Sequence, residues 1–258
     1  MKPVALVALL VLAACVTPDV VPQETVRDLA PSGTLRAAIN FGNPVLAQKN
    51  ANGEAGGVSV DLARELARRL GVPLELRSYD AAGKVFADAK SGAWDIAFIA
   101  RDPQRANEVE FTAPYVIIEG TYLVPEGSPL RTVQDVDRDG VRVAVGRGSV
   151  YDLYLTRTLK RAQLVRAPTS PEAPELFLKQ KLDAAAGIRQ QLVQSARQQP
   201  GLRVMEDRFM VIEQAMAMPR GRPLAVRYLR EFVDEMKASG FVAASLLQSG
   251  QKDAAVAP

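Results

Sequence analysis

The sequence predicts an α/β fold with two lobes, each a mostly parallel sheet flanked by helices, joined by two hinge strands. From Thr34 onward, short apolar runs alternate with helical patterns, which is typical of βαβ units. This βαβαβ order occurs twice along the chain. Two segments, 115–130 and 209–224, resemble each other and contain proline and glycine, so we expect each to leave one lobe for the other as an extended strand that then stops pairing.

The first βαβαβ unit follows Thr34. The pattern "SVDLARELARRLG" places its leucines and alanines on one face of a helix, and Gly71 and Pro73 end that helix. A shorter helix begins near Ala82. The strands of this unit are predicted to be "LRAAIN", "LELRSY" and "WDIAFIA".

The second unit begins after Pro129 with the strand "VRVAV", a glycine turn and a helix from Ser149 to about 159. After the strand "AQLV", Ser170 and Pro171 are expected to cap and start a helix that ends near 179. The strand "LDAAAG", a helix over 189–198 and the strand "LRVME" complete the unit, and final helices over 224–247 are expected to pack on the first lobe. The predicted organisation is a signal peptide at 1–15, a flexible tether at 16–32, lobe 1 at 33–120 and 214–250, lobe 2 at 121–213, and a tail at 251–258.

The composition excludes several classes of function. Among 258 residues, 48% are hydrophobic and 24% charged, which is ordinary for a soluble globular protein. A net charge of +3 without a basic run disfavours nucleic-acid binding. Since the chain has no histidine and one cysteine, zinc sites, serine or cysteine triads and structural disulfides are disfavoured, and an enzyme would have to use carboxylates, lysines or tyrosines.

The N-terminal stretch "MKPVALVALLVLAAC" has the layout of a secretory signal. Lys2 precedes an apolar run over 4–12 that is too short for a permanent membrane span. The ending Leu-Ala-Ala-Cys resembles the bacterial lipobox, so we expect cleavage before Cys15 and a lipid anchor on its thiol. The alternative is a plain signal peptide that happens to contain a cysteine.

Two loops lie where predicted strands end and helices begin, which is where ligands bind in such sheets. One carries Arg101, Asp102 and Arg105, and the other is "GRGS" at 146–149. Two arginines at i and i+4 can share one face, and arginine suits bidentate bonding to a carboxylate. The alternatives are that these arginines pair with nearby acids on the surface and that Ser149 only caps its own helix. "GRGSVY" also lacks the complete glycine pattern of a dinucleotide site or a P-loop.

The order and spacing of several blocks resemble the periplasmic solute-binding proteins of amino-acid-type ABC importers, solute-binding protein family 3. The resemblance runs from about Leu35 to Gly250. It implies a Venus-flytrap fold of the type II periplasmic-binding-protein kind, with a discontinuous first lobe. It further implies a monomer in the periplasm, without catalysis or cofactor, that delivers its solute to an ABC permease in the inner membrane. The blocks are "LRAAIN", "NGEAGGVSVDLARELARRLGV", "SGAWDIAF", "PQRANEVEFTAPY", "DVDRDGVRVAVGRGS", "LDAAAG" and "FVDEMKASGF".

The resemblance also assigns roles by position. Arg105 matches the arginine that grips the ligand carboxylate, and Gly148 and Ser149 match the pair that meets the same carboxylate from the other lobe. The loop after the first strand, "FGNPVLAQ", contributes Phe41 and Asn43 as candidate ligand contacts. In that loop a valine stands where family members have a stacking aromatic.

The chain departs from the family pattern at other ligand positions. Ile188 stands where an aspartate would bind the ligand ammonium. The loop before Arg105 is about two residues short and leaves Ala100 and Arg101 in place of small hydroxyl residues. Glu119 or Glu213, near the hinge, could supply the lost negative charge. If Arg101 points inward, the site favours an anion over a zwitterion.

Three functions stay open at this stage. The first is capture of a small carboxylate, either an amino acid or a non-amino organic acid, for import. The second is a dehydratase of the cyclohexadienyl or arogenate type, which resembles these binding proteins and would need Glu119 or Glu213 as a general acid. The third is a sensory module, which would require a separate membrane partner.

Overall fold

The computed structural model describes residues 21–258. The predicted signal peptide, its Cys15 lipidation site and the start of the predicted tether at 16–20 lie outside the described residues. No helix within 21–258 is both long and apolar enough to cross a membrane.

The strands and helices of residues 21–258 follow the predicted alternation. The strands are β1 (Leu35–Asn40), β2 (Gln48–Lys49), β3 (Ala55–Gly56), β4 (Leu74–Tyr79), β5 (Ile96–Ala100), β6 (Val109–Pro125), β7 (Arg142–Gly146), β8 (Gln163–Ala167), β9 (Ala184–Ile188), β10 (Leu202–Val204), β11 (Met210–Pro219) and β12 (Ala255–Val256). The α-helices are α1 (Gln23–Leu29), α2 (Val58–Leu70), α3 (Ala82–Ala87), α4 (Val150–Thr158), α5 (Ala173–Lys179), α6 (Arg189–Gln198), α7 (Pro223–Ala238) and α8 (Phe241–Gln248). Short 3₁₀ helices cover Asp88–Lys90, Arg105–Asn107 and Val133–Val136.

One long mixed sheet connects the two halves of the molecule, in the order β4-β1-β5-β11-β6-β9-β7-β8. On one side β4, β1 and β5 are parallel, and on the other side β9, β7 and β8 are parallel. Between them β6 and β11 pair antiparallel, as the predicted hinge strands. We refer to 33–120 with 214–250 as lobe 1 and to 121–213 as lobe 2.

The helices bury the faces that their patterns predict. In α2 the buried side chains include Leu62, Leu66 and Leu70, and Gly71 ends the helix in the left-handed conformation at φ 66°. The helices α7 and α8 pack on lobe 1, against β6 and α2 respectively, as expected. Their buried residues, such as Phe232 in α7, belong to its core.

Two local predictions are corrected. The part of the predicted tether within the described residues forms α1, whose Leu29 is fully buried and which packs against α7. Burial of apolar surface between α1 and α7 stabilises this helix, and this effect outweighs the Pro-rich character of the preceding segment. Ser170 is not an N-cap, because α5 begins at Ala173 with Glu172 in the N-cap position.

Candidate ligand-binding site between the lobes

A cavity lies between the two lobes, at the carboxyl ends of strands β1, β5, β7 and β9 and beside the hinge strand β11. Its volume is about 30 Å³, which is room for little more than water. A solute of several heavy atoms must therefore enter while the lobes are apart. The lining residues are Asn40, Gly42, Asn43, Ala82, Ile99, Ala100, Arg105, Ser149, Val150, Tyr151, Ser170, Ile188, Ile212 and Gln214.

Arg105 is the only cationic side chain of this lining. It begins the 3₁₀ helix that follows β5 and is fully buried. Its Nη1 donates to the carbonyl of Ala100 at 2.9 Å, and its Nη2 donates to the carbonyl of Gly148 at 2.8 Å. Its Nε is buried without a hydrogen-bond partner.

No carboxylate of the described residues forms an ion pair with Arg105. Burial lowers the pKa of the Arg105 guanidinium to about 10, and the charge of Asp102 only partly opposes this shift. The guanidinium is still protonated at neutral pH. The lobes therefore enclose a positive charge that only backbone carbonyls solvate.

The turn after β7 brings Gly148 and Ser149 from lobe 2. Gly148 has a φ of 68°, a conformation that favours glycine, and its N–H donates to Oδ2 of Asp152 at 2.8 Å. The Ser149 hydroxyl accepts from the N–H of Asp152 at 3.0 Å and so caps α4. Ser149 thus caps its own helix and also lines the cavity.

The two lobes also contact each other directly. A methyl group on Gly148 would lie 2.8 Å from the Cα of Gly83 in α3, so only glycines allow this approach of the two backbones. Arg157 of α4 also donates to Oδ2 of Asp102 at 2.7 Å across the lobes. The described arrangement is therefore a closed one.

In the loop after β1, Asn43 lines the cavity and Phe41 does not. Asn43 is 5% exposed, and its Oδ1 accepts from the N–H of Val45 at 3.2 Å. Phe41 is absent from the lining, and Nζ of Lys49 lies 5.0 Å from the centre of its ring. The backbone turns between these two residues, so the predicted pair separates.

Arg101, Glu213 and Glu119, which the sequence proposed as ligand contacts, do not line this cavity. Arg101 pairs with Glu213 at 3.0 Å, with both side chains nearly half exposed. Glu119 pairs with Arg189 at 2.7 Å and also with Arg208. The hydrogen bonds from Arg208 and Arg189 hold the pKa of the Glu119 carboxyl below its usual value.

Several lining residues were not singled out from the sequence as ligand contacts. Tyr151 is the most unusual, because its hydroxyl is buried without a hydrogen bond, next to the hydroxyls of Ser149 and Ser170, and burial raises its pKa to about 12. Its position two residues after the "GRGS" turn is the signal that could have indicated it. Asn40 ends β1, and Gln214 lies on β11 opposite Ala100. The others are Gly42, Ala82, Ile99, Val150, Ser170 and Ile212.

Comparisons with known proteins find chains that are similar over most of this length. A family model described as bacterial extracellular solute-binding proteins, family 3, matches residues 35–251. Cyclohexadienyl dehydratase of Pseudomonas aeruginosa is 25% identical over 244 residues, covering 91% of this chain and 90% of that protein. The L-cystine-binding protein TcyJ of Escherichia coli K12 is 22% identical over 213 residues, covering 81% of this chain and 79% of that protein.

Solved structures show the same fold at lower identity. A solute receptor for L-cysteine from Neisseria gonorrhoeae superposes with a TM-score of 0.76 at 21% identity, covering 87% of this chain and 92% of that one. An amino-acid ABC transporter substrate-binding protein from Streptococcus pneumoniae, bound to L-arginine, gives 0.75 at 20% identity, with coverages of 90% and 99%.

Proposed function

The chain belongs to the bacterial extracellular solute-binding proteins, family 3, and we propose that it captures a small carboxylate-bearing solute between its lobes and delivers it to an ABC importer. Its fold is the type II periplasmic-binding-protein fold that the sequence predicts. Closure of the lobes around a solute is the motion that this fold allows, because only two long strands, β6 and β11, connect the two halves.

The buried guanidinium of Arg105 carries this proposal. Of its five N–H donors, two are bonded to carbonyls, which leaves the Nε–H and further Nη hydrogens for an acceptor. A carboxylate accepts hydrogen bonds from such N–H groups and at the same time neutralises the positive charge of the guanidinium. Ser149, which belongs to lobe 2, lines the same cavity as Arg105 of lobe 1.

The same lining argues against a dehydratase, although one relative is a cyclohexadienyl dehydratase. Elimination of water needs a general acid or base in contact with the substrate. The described lining holds no Asp, Glu, His, Lys or Cys. Glu119 and Glu213, the candidates from the sequence, form ion pairs outside the cavity, and the pKa of the Tyr151 hydroxyl is raised to about 12. We therefore propose binding without catalysis.

We also propose that the protein is exported and anchored through a lipid on Cys15. The lipobox-like sequence before Cys15 supports this. Helix α1, which packs on α7, is the first helix of the described residues and begins at Gln23. Metabolic labelling with a fatty acid should mark the wild type and not Cys15→Ser, and equal labelling of both would refute the anchor.

Thermal-shift screening of the purified protein tests the proposed binding. A carboxylate at 100 times its dissociation constant adds about 2.7 kcal/mol to the free energy of unfolding, which raises the melting temperature by about 5 to 10 °C. The amide of the same acid is the matched control, since it keeps the shape and loses the charge. Equal stabilisation by acid and amide would contradict the role of Arg105.

A further inference from the structure

We infer that the solute is a carboxylate without an amino group, which means a non-amino organic acid. This inference rests on the proposed function, because it names the class of solute for the same cavity. It depends on the charge balance of the lining, its isoleucines and the amides of its two asparagines. The solved structures that share the fold include proteins bound to L-arginine or lysine, so the inference separates this chain from them.

The first observation is the charge balance around the cavity. The described lining has one cation, Arg105, and no carboxylate. Four acids of the lobes and hinge strands are each held by an arginine: Asp102 by Arg157 at 2.7 Å, Asp152 by Arg166 at 2.9 Å, Glu213 by Arg101 at 3.0 Å and Glu119 by Arg189 at 2.7 Å. An ammonium next to the solute carboxylate would therefore be buried near a like charge, without a counterion from the lining.

The second observation concerns the apolar wall. Ile188 ends β9, Ile212 lies on β11 and Ile99 lies on β5, and all three are at most 4% exposed. They line the cavity together with Arg105. Isoleucine side chains in the lining suit a hydrocarbon body and give no hydrogen bond to an ammonium.

The third observation is the direction of the asparagine amides. Oδ1 of Asn40 accepts from the N–H of Gly42 at 3.0 Å, and Oδ1 of Asn43 accepts from the N–H of Val45 at 3.2 Å. These bonds fix the amide oxygens and leave the Nδ2–H groups as the unbonded groups of both side chains. The asparagines therefore offer donors, which suit carboxylate, keto or hydroxyl oxygens more than an ammonium.

Matched pairs of acids test this inference by calorimetry with the purified protein. The probes are pyruvate and alanine, 4-methyl-2-oxopentanoate and leucine, and phenylpyruvate and phenylalanine, with 4-methylpentanoate as an acid that lacks both groups. We expect the member without an amino group to bind at least about tenfold more tightly in every pair that binds.

The possible results distinguish failure of this inference from failure of the proposed function. Tighter binding of the amino acid that is lost in Arg105→Met would overturn this inference and leave the proposed function standing. Binding of either class that persists unchanged in Arg105→Met, or no binding by any probe at millimolar concentration, would overturn both.

A pair of variants at Ile188 tests where the preference arises. Ile188→Asp adds a carboxylate to the apolar wall, and Ile188→Asn adds a neutral side chain of the same size. We expect Ile188→Asp, relative to Ile188→Asn, to shift the ratio of affinities toward the amino acid by at least about tenfold. Circular dichroism checks that both variants fold. An equal ratio in the two variants would overturn the inference that the missing charge on this wall excludes an ammonium.

Discussion

Nη2 of Arg105 in lobe 1 donates a hydrogen bond of 2.8 Å to the carbonyl oxygen of Gly148 in lobe 2. The residue proposed to bind the solute carboxylate is thus also a contact between the lobes. Its guanidinium is fully buried in this closed arrangement, which is most favourable when an anion compensates the charge. Binding and closure are therefore coupled through one side chain.

The glycine contact between the lobes predicts the effect of a single methyl group. Gly148→Ala places a Cβ 2.8 Å from the Cα of Gly83, so we expect the closed form to be disfavoured and the affinity to fall by at least about tenfold. Calorimetry with the tightest carboxylate measures this loss. Gly140→Ala is the control, since Gly140 also has a positive φ but open space around its Cα. Equal affinity of the two variants would show that the lobes do not close as described.

The ion pair between Asp102 and Arg157 predicts a smaller effect. Arg157 is 43% exposed, so Arg157→Gln should cost at most about 1 kcal/mol of closure, which lowers the affinity by up to about fivefold. The loss should shrink as salt is added. Arg64→Gln, which breaks the Arg64–Asp61 pair within lobe 1, is the control and should leave the affinity unchanged. A loss with Arg64→Gln as large as with Arg157→Gln would rule out a specific role for the pair between the lobes.

Helix α1 predicts that the region before lobe 1 stabilises the fold. Leu29 is fully buried, so Leu29→Ala should lower the free energy of unfolding by about 2 to 4 kcal/mol in urea titration. Leu178→Ala is the control, because Leu178 is 39% exposed and should cost well under 1 kcal/mol. Equal stability of the Leu29 variant and the wild type would contradict this role of α1 and would support the flexible tether that the sequence predicts.

An arginine pair on α2 predicts a dependence of stability on pH. The hydrogen bond from Arg68, with that from Arg69, lowers the pKa of the Glu65 carboxyl to about 2. Stability from this group is therefore present above pH about 4.5 and is lost as the pH falls toward 2. Glu65→Gln should be less stable than the wild type by about 1 kcal/mol at pH 6, and the difference should vanish near pH 2. A difference that is constant over this range would assign the loss to packing instead.

The sequence predicted those features that local patterns determine. The leucine spacing of α2 predicted its buried face, and Gly71 predicted where the helix ends. For Arg105, the pattern predicted a position in the loop that follows the third apolar strand. The partner of Arg101 could not be predicted, because Glu213 is 112 residues away and meets it only through the pairing of β5 with β11. Tyr151 and Ser170 come together in a similar way, since Tyr151 lies in the first turn of α4 after β7, Ser170 follows β8, and β7 pairs with β8.

The measurement that tests the account most directly compares two arginine variants that differ in place and not in chemistry. Arg105→Met removes the buried guanidinium, and Arg101→Met removes one that lies outside the cavity. With the tightest carboxylate from the screen, calorimetry should show that Arg105→Met loses about 3 kcal/mol, or at least about 100-fold in affinity, while Arg101→Met stays within about threefold of the wild type. Retained affinity in Arg105→Met, or an equal loss in both variants, would contradict the carboxylate site between the lobes.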